Sequence, residues 1–379
     1  MYVSRLLEEQ VATTLRKKSV LVLGPRQTGK SSMIRQAMKV DRTFNLLDQS
    51  TFTNLSRHPS SLRESLQESD RLVAIDEIQK LPRLMDEVHL MIEEEGRRFL
   101  LTGSSARKLR RTHTGLMAGR ARSLYLHPFV TAELGEYPLD RLLSFGMLPP
   151  VVQSETPGDD LADYVGDYLQ QEILAEALTR NIEQYSRFFS HVASMATQIL
   201  NVEKLASDAQ LAPTTVRRFL DILTDTLIAI QLEPWRKGRR RKPVSASKLL
   251  FFDVGVVNAL LGIHRYTERD SNAGWQFEQF IGQELWAYRD YCERQSALTF
   301  WRSTDQYEVD YVFGDRVAIE VKHTAFVTAR DLRGLATIAE EDKTLRRMVV
   351  SRDSTPREIE GIEILPYRTF LAQLWAGQI

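Results

Sequence analysis

The hydrophobic pattern changes character along the chain. Ser19–Leu23, Thr43–Leu47, Leu72–Ile75, Phe99–Leu101 and Leu124–Leu126 are short apolar runs bounded by polar residues, and each predicts a buried strand. Ser31–Lys39 and Leu84–Glu95 lie between them and read as helices. Strands alternating with helices predict a parallel sheet covered on both faces. From Leu161 to Leu232 the pattern is almost entirely helical, and Leu249–Phe252 reads as a short strand. Beyond the polar break Gly262–Gly274 the chain turns mixed, with a helical run at Gln276–Trp286. Two alternating runs, Glu308–Phe313 and Val317–Lys322, are joined by a Gly314-Asp315 turn, as in a hairpin. Phe145–Pro157, rich in Pro and Gly, reads as a boundary. The expectation is an α/β multidomain chain: a parallel-sheet unit at 1–150, a helical unit at 151–262 and a mixed unit at 263–379.

Composition narrows this picture. At roughly 150 residues per domain, a length of 379 residues agrees with two or three domains. The 50 Lys+Arg balance 50 Asp+Glu, so a nucleic-acid partner has to be argued from local patches. No apolar stretch approaches the ~18 residues of a membrane span, and Met1–Arg16 lacks a signal-peptide apolar block. A lone cysteine, Cys292, excludes an internal disulfide and a multi-cysteine zinc site. A soluble, cytoplasmic chain without a membrane partner is expected.

The strongest local signal is Gly24-Pro25-Arg26-Gln27-Thr28-Gly29-Lys30-Ser31, which fits G-x-x-x-x-G-K-[ST] between a strand and a helix. Such a loop turns its amides toward phosphate oxygens at a helix N-terminus. Lys30 supplies a point charge to the β/γ-phosphates and Ser31 a hydroxyl ligand for Mg²⁺. Leu72–Ile75 ends in Asp76-Glu77, which places Asp76 to hold Mg²⁺ and Glu77 to act as general base toward water. ATP or GTP hydrolysis is the implied reaction; a small-molecule kinase is the alternative, though it would not need Glu77 as a base toward water. At the polar tip of Leu100–Ser105, Ser104 is the first choice and Thr102 the second to sense the γ-phosphate. Arg120, just before the run Leu124–Leu126, is placed to act on a neighbour's γ-phosphate as an arginine finger, with Arg122 competing. A neighbour implies a homo-oligomer.

A second signal lies at 202–242. Val202–Ala209, the turn Gln210–Pro213 and Thr214–Leu223 read as a helix-turn-helix, with Val216, Leu220, Leu223 and Leu227 on one stripe. Thr214, Thr215, Arg217 and Arg218 then face outward, where a recognition helix presents its N-terminus to DNA. The segment that follows contains Arg236, Lys237, Arg239, Arg240, Arg241 and Lys242, a basic wing suited to phosphates. Packing against a partner and plain surface charge are the competing explanations.

The third signal is acidic. Alternation puts Glu320 and Lys322 on one face of their strand, with Asp310 in cross-strand range. Glu278, in the upstream helical run, is placed to complete a metal site. Asp310 and Glu320 are candidate Mg²⁺ ligands, and Lys322 is placed to orient or deprotonate a water. The spacing matches a restriction-endonuclease-like core; an ordinary salt-bridged hairpin is the alternative.

Together the three units resemble a family of bacterial and archaeal AAA+-type ATPases with a P-loop core, a central winged helix and a C-terminal domain similar to PD-(D/E)xK nucleases. The resemblance is carried by the phosphate loop at 24–31, Ile-Asp-Glu-Ile-Gln at 75–79, Leu-Thr-Gly-Ser-Ser at 101–105 and Ala-Gly-Arg at 118–120. It continues in Phe-Gly-Met-Leu-Pro at 145–149, Lys-Leu-Leu-Phe-Phe-Asp-Val-Gly at 248–255, Phe-Glu at 277–278, Glu-Val-Asp at 308–310 and Ile-Glu-Val-Lys at 319–322. By resemblance, Lys30, Ser31, Asp76 and Glu77 are the Walker residues and Arg120 the arginine finger. Glu278, Asp310, Glu320 and Lys322 form the nuclease-like quartet. The implied function is an ATP- and Mg²⁺-dependent, oligomeric DNA motor or remodeller whose last domain binds, and in one version cuts, DNA. The alternative is a nucleotide-operated switch that binds a protein partner and no DNA.

Overall fold

In a computed structural model that describes residues 2–105, 119–169, 182–238 and 240–379, the apolar runs of the first third become strands. They are β1 (Ser19–Leu23), β2 (Arg42–Asn45), β3 (Leu72–Asp76), β4 (Arg98–Gly103) and β5 (Ala121–Tyr125). All neighbouring pairs are parallel, in the order β2-β3-β4-β1-β5. The central strands β1, β3 and β4 are buried along almost their whole length, as expected where helices cover both faces. Val73, Ile75 and Leu101 pack against Leu84, Val88 and Met91 of the helix Leu84–Glu95 in one apolar cluster. The strand order is what positions chemistry here. It inserts β4 between the strand that feeds the phosphate loop and the strand that ends in Asp76.

The chain divides into two compact units, Met1–Phe129 with Ile222–Ile228, and Val130–Asp221 with Ala229–Ile379. Both boundaries read from the sequence, after 150 and after 262, fall inside the second unit. The segment Phe145–Pro157, read as a boundary, buries Met147, Leu148 and Val151. Its glycine and prolines serve a tight turn, with Gly146 at φ +71°, and the start of the helix Pro149–Val152.

Within the second unit the helical stretch resolves into Ile182–Ala193, Val202–Asp208 and the beginning of Pro213–Asp225. An antiparallel pair follows, β6 (Ala229–Leu232) and β7 (Lys248–Phe251). Bridges from Ala196 and Ile199 to β7 add a short third rung. Phe188, Phe219 and Tyr185 fill the space under these helices with rings 4.8–5.8 Å apart.

The remaining strands are β8 (Leu298–Arg302), β9 (Glu308–Phe313), β10 (Val317–Lys322), β11 (Arg346–Ser351), β12 (Arg357–Ile359) and β13 (Ile362–Pro366), ordered β12-β13-β11-β10-β9-β8. The expected hairpin is β9–β10, in the register Val317↔Phe313, Ala318↔Val312, Ile319↔Tyr311. The helix Ala273–Cys292 lies on this sheet. Gly282 permits that: a Cβ there would stand 2.3 Å from the Tyr311 hydroxyl. The Gln279 side chain pairs with both the N–H and the C=O of Phe251, at 3.1 and 2.6 Å, tying the same helix to β7.

Glu284 anchors the helix at a third place. Buried, it accepts from the Thr131 N–H (2.8 Å), the Thr131 hydroxyl (3.1 Å) and the Trp375 indole (2.7 Å). Burial pushes its carboxyl from 4.5 up to about 7, against the pull of those donors. A carboxyl raised on folding contributes stability that is complete below its unfolded value and lost as pH rises through its folded one. Wild type should therefore lose on the order of 2 kcal/mol between pH 5 and pH 8 through this group. Urea unfolding at the two pH values, in wild type and Glu284→Gln, checks it; equal pH slopes in the two proteins would sink the assignment.

Candidate functional site

The loop Gly24–Lys30 rises from the C-terminal end of β1. Gln27 (φ +62°) and Gly29 (φ +98°) take left-handed conformations, which wraps the loop. The helix Lys30–Ala37 starts behind Gly29 with no side-chain cap, so its first amides are presented to an anion. Lys30, buried, donates to the carbonyls of Gly24 and Pro25, each at 2.8 Å. The loop is held from below by Arg5. This buried guanidinium donates to the carbonyl oxygens of Thr28 (2.6 Å), His127 (2.8 Å) and Pro128 (3.1 Å) and stacks over Phe129.

The tips of β3 and β4 converge. Thr102 donates its hydroxyl to Asp76 and accepts the Glu77 N–H at 3.2 Å, so one hydroxyl orients both acids. Glu77 itself sits at φ +62°, a left-handed backbone that costs a non-glycine residue of order 1–2 kcal/mol. Ser104 donates to Glu77 Oε2 at 3.4 Å. Gln79 completes the group: its amide donates to Glu77 Oε2 and, at 2.9 Å, to the Ser104 hydroxyl. Its own Oε1 is buried and accepts no hydrogen bond among the described residues. This donor set fits a nucleotide and Mg²⁺. Lys30 and the loop amides suit phosphate, Ser31 and Asp76 suit the cation, and Glu77 carries a free acceptor position for a proton.

Arg120 lies elsewhere. Its carbonyl accepts from Ser19 N–H at the start of β1, while the loop leaves the other end of that strand. In a parallel pair, that separation is about 13 Å at ~3.3 Å per residue. Arg120 pairs with Glu93 and holds that carboxyl below its usual range. Within its own chain it is on the wrong end of the sheet to meet the loop. Arg122 is one pairing further on, beside Val20.

The carboxylates of the second unit do gather. Asp310 on β9 accepts the Val321 N–H with Oδ2 at 2.8 Å. Glu320 and Lys322 pair at 2.5 Å. Burial and the neighbouring Asp310 hold the Glu320 carboxyl well above the usual range, and its Oε2 is buried with no hydrogen-bond partner among the described residues. Burial opposes the charged form of Lys322, yet Glu320 and Asp310 outweigh it and raise its pKa. Glu278 reaches in from the helix Ala273–Cys292. Lys248, at the start of β7 and only 1% exposed, belongs to the motif at 248–255 but carries no role read from the sequence. Its Nζ lies 2.6 Å from Glu278, 3.4 Å from Asp310 and 3.7 Å from Glu308. Among the described residues no group of three or more His, Cys, Asp or Glu side chains is arranged to hold a metal ion. Asp310 and Glu320, expected as Mg²⁺ ligands, are engaged by Lys248, Lys322 and backbone, so this set does not fit a divalent ion as it stands.

The basic segment departs from the expected free wing. Residues 233–238 and 240–247 run back along the C-terminal sheet, with Trp235 N–H donating to the Phe300 carbonyl (2.6 Å) and Val244 N–H to the Arg302 carbonyl (3.0 Å). Lys237 pairs with Asp315 (2.7 Å), Arg240 approaches Glu340 (4.0 Å), and Arg241 pairs with Glu340 (2.9 Å) and Glu341 (3.4 Å). The reason is acidic partners 78 to 100 residues later in the chain. Arg236 and Lys242 are exposed and form no ion pair among the described residues; Arg239 lies outside the described residues. In the helix pair, Thr214 and Arg218 are exposed and Thr215 half-buried, while Arg217 pairs with Glu203 at 3.0 Å.

Among the described residues no helix is long and apolar enough to cross a membrane. Two relatives, uncharacterized proteins of Mycobacterium bovis and Mycobacterium tuberculosis, are each 28% identical over 318 residues, spanning 81% of this chain and 70% of theirs. Among solved structures, the Aeropyrum pernix ORC1 protein in complex with DNA covers 67% of this chain and 90% of its own at 12% identity and a TM-score of 0.28. The replication initiator DnaA bound to AMPPCP and single-stranded DNA covers 59% and 89% at 13% identity and a TM-score of 0.31. Likenesses this distant leave the fold to be read from strand order and loop geometry. Residues 137–267 and 273–370 match families described as domains of unknown function, DUF8612 and DUF4143. Residues 16–135 match the family described as AAA domain, which covers the phosphate loop, Asp76, Glu77, Ser104 and Arg120.

Proposed function

We propose that the chain is a Mg²⁺-dependent ATPase that assembles with copies of itself and acts on DNA. The observation that carries this reading is the network in which Thr102 and Gln79 orient Asp76, Glu77 and Ser104 at the C-terminal ends of β3 and β4, beside the end of β1 from which the loop carrying Lys30 leaves. Mg²⁺ held by Ser31 and Asp76 would offset phosphate charge. Lys30 exchanges its two loop carbonyls for phosphate oxygen. Glu77 accepts a proton from the attacking water, and Ser104 reports the γ-phosphate. Arg120 acts in trans, since its position at the far end of β5 denies it the loop of its own chain. That makes activity depend on assembly.

Helices Val202–Asp208 and Pro213–Asp225, followed by β6 and β7, support the winged-helix reading, and the C-terminal sheet with Glu278, Asp310, Glu320 and Lys322 supports the PD-(D/E)xK-like one. Thr214, Arg218, Arg236 and Lys242 are the side chains best placed for phosphates. A second reading, a nucleotide-operated switch for a protein partner, is favoured by the internal pairing of Lys237 and Arg241. Hydrolysis rate measured against duplex, single-stranded and branched DNA, on protein of known mass in solution, separates the two. DNA action predicts a stimulation that Arg218→Ala/Arg236→Ala/Lys242→Ala weakens and added salt suppresses. An unchanged rate with every DNA, together with no salt-dependent binding, leaves the switch.

A further inference from the structure

The acidic cluster of the second unit already contains a cation. Lys248 belongs to β7, yet its side chain leaves that strand and ends among Glu278, Glu308 and Asp310, which come from the helix Ala273–Cys292 and from β9. Nothing in its own neighbourhood calls for a lysine: Leu249, Leu250, Phe251 and Phe252 are all buried apolar residues. A lysine is almost never fully buried without partners, so the position is explained by the acids it meets. The Nζ also contacts the Asp310 carbonyl oxygen at 3.4 Å and lies 5.2 Å from the Tyr311 ring centroid.

The placement is built rather than incidental. Gln279 and Gln283 tie the helix that carries Glu278 to the backbone of Phe251 and Val254. Tyr311 donates its hydroxyl to the Glu278 carbonyl at 3.0 Å. Asp310 is left with Oδ1 on Lys248 and Oδ2 on the Val321 amide, so both oxygens are used. Glu320 gives Oε1 to Lys322. A divalent ion needs several of these oxygens at 2.0–2.6 Å at once. It would also sit within a few ångströms of a like charge that is itself almost fully buried, where repulsion is less screened than in open solvent.

We propose that the Lys248 ammonium is the resident cation of this cluster, taking the place of a divalent ion, so that the C-terminal domain binds no metal there and does not cut DNA while Lys248 is in place. This rests on the nuclease-like reading for its consequence, though not for its cation chemistry. Mn²⁺ alone is the probe. It is titrated calorimetrically into the full, nucleotide-free chain carrying Ser31→Ala and Asp76→Asn, which silence the phosphate-loop ligands. In that background no Asp310-dependent uptake is expected with Lys248 present. Lys248→Met should bind Mn²⁺ on the order of tenfold more tightly or better, and adding Asp310→Asn should abolish the gain. Uptake that needs Asp310 while Lys248 is intact overturns the proposal, as does a folded Lys248→Met chain that takes up none. The first of these results needs no Lys248 variant, so a misfolded Lys248→Met does not rescue the idea. Plasmid nicking distinguishes the two layers. Mg²⁺-dependent, Asp310-dependent nicking by wild type defeats the resident-cation assignment and supports the nuclease-like reading. Mn²⁺ binding by Lys248→Met without nicking keeps the assignment and removes that reading.

Discussion

Glu77→Gln is expected to lower steady-state ATP hydrolysis by about two to three orders of magnitude, the usual yield of a positioned general base, while nucleotide binding persists. Glutamine has the same shape and keeps an oxygen for the Gln79 amide, so the network around Ser104 survives. What it lacks is a lone pair basic enough to take the proton from water. Lys30→Ala should fail differently. It removes the charge that meets the phosphates and leaves the Gly24 and Pro25 carbonyls without their donor, so binding and hydrolysis fall together. Fluorescent-nucleotide titration beside a coupled ATPase assay distinguishes the two. Full hydrolysis in Glu77→Gln would move the base to another residue, and equal nucleotide affinity in Lys30→Ala would remove the phosphate-loop assignment.

Much of this site was legible because its chemistry is local. A phosphate loop needs eight consecutive residues, an acidic strand tip needs five, and an E-x-K strand needs three. Strand ends moved by at most three residues between pattern and structure, the largest shift being at the start of β5, since apolar runs mark where a strand is buried. The illegible part is nonlocal. Gln79 stands in plain view two residues after Glu77, but its role depends on β4 lying beside β3, which brings Ser104 across from 25 positions away. Lys248 and Asp310 are 62 positions apart, and no periodicity links them. The basic segment misled for the same reason. Its charges look unpaired until the chain returns 100 positions later and Glu341 pairs with the Arg241 guanidinium. Charge counted along a sequence overstates what a folded surface offers to DNA, because partners from distant segments are invisible.

One substitution made at two glycines should have opposite effects. Gly255→Ala is expected to destabilise the chain by more than about 3 kcal/mol, at or beyond the upper end of overpacking costs, although alanine normally favours a helix by up to ~1 kcal/mol over glycine. Gly255 lies in the helix Val254–Leu260, where the turn after Phe145 crosses it. A Cβ there would stand 2.1 Å from the Phe145 oxygen and 2.6 Å from the Gly146 nitrogen, both backbone atoms that cannot rotate away. The crossing cannot loosen because Asp253 pins it. That buried carboxylate accepts the Met147 N–H at 2.7 Å and caps its own helix through Val256 N–H at 3.1 Å. Burial raises its pKa to about 6 in spite of those donors. Asn258 adds 2.7 and 2.9 Å bonds to the Leu143 and Ser144 carbonyls. Pushing the turn and the helix apart would therefore break several buried polar contacts at once, each costing on the order of 1–3 kcal/mol when orphaned. Gly274, in the first turn of Ala273–Cys292, is exposed and would place a Cβ in open space, so Gly274→Ala should be neutral or stabilising. Denaturant midpoints of the two variants against wild type settle the comparison. A mild effect at Gly255 would mean that the Phe145–Met147 turn is free to move, and that the motifs at 145–149 and 248–255 do not lock together as drawn.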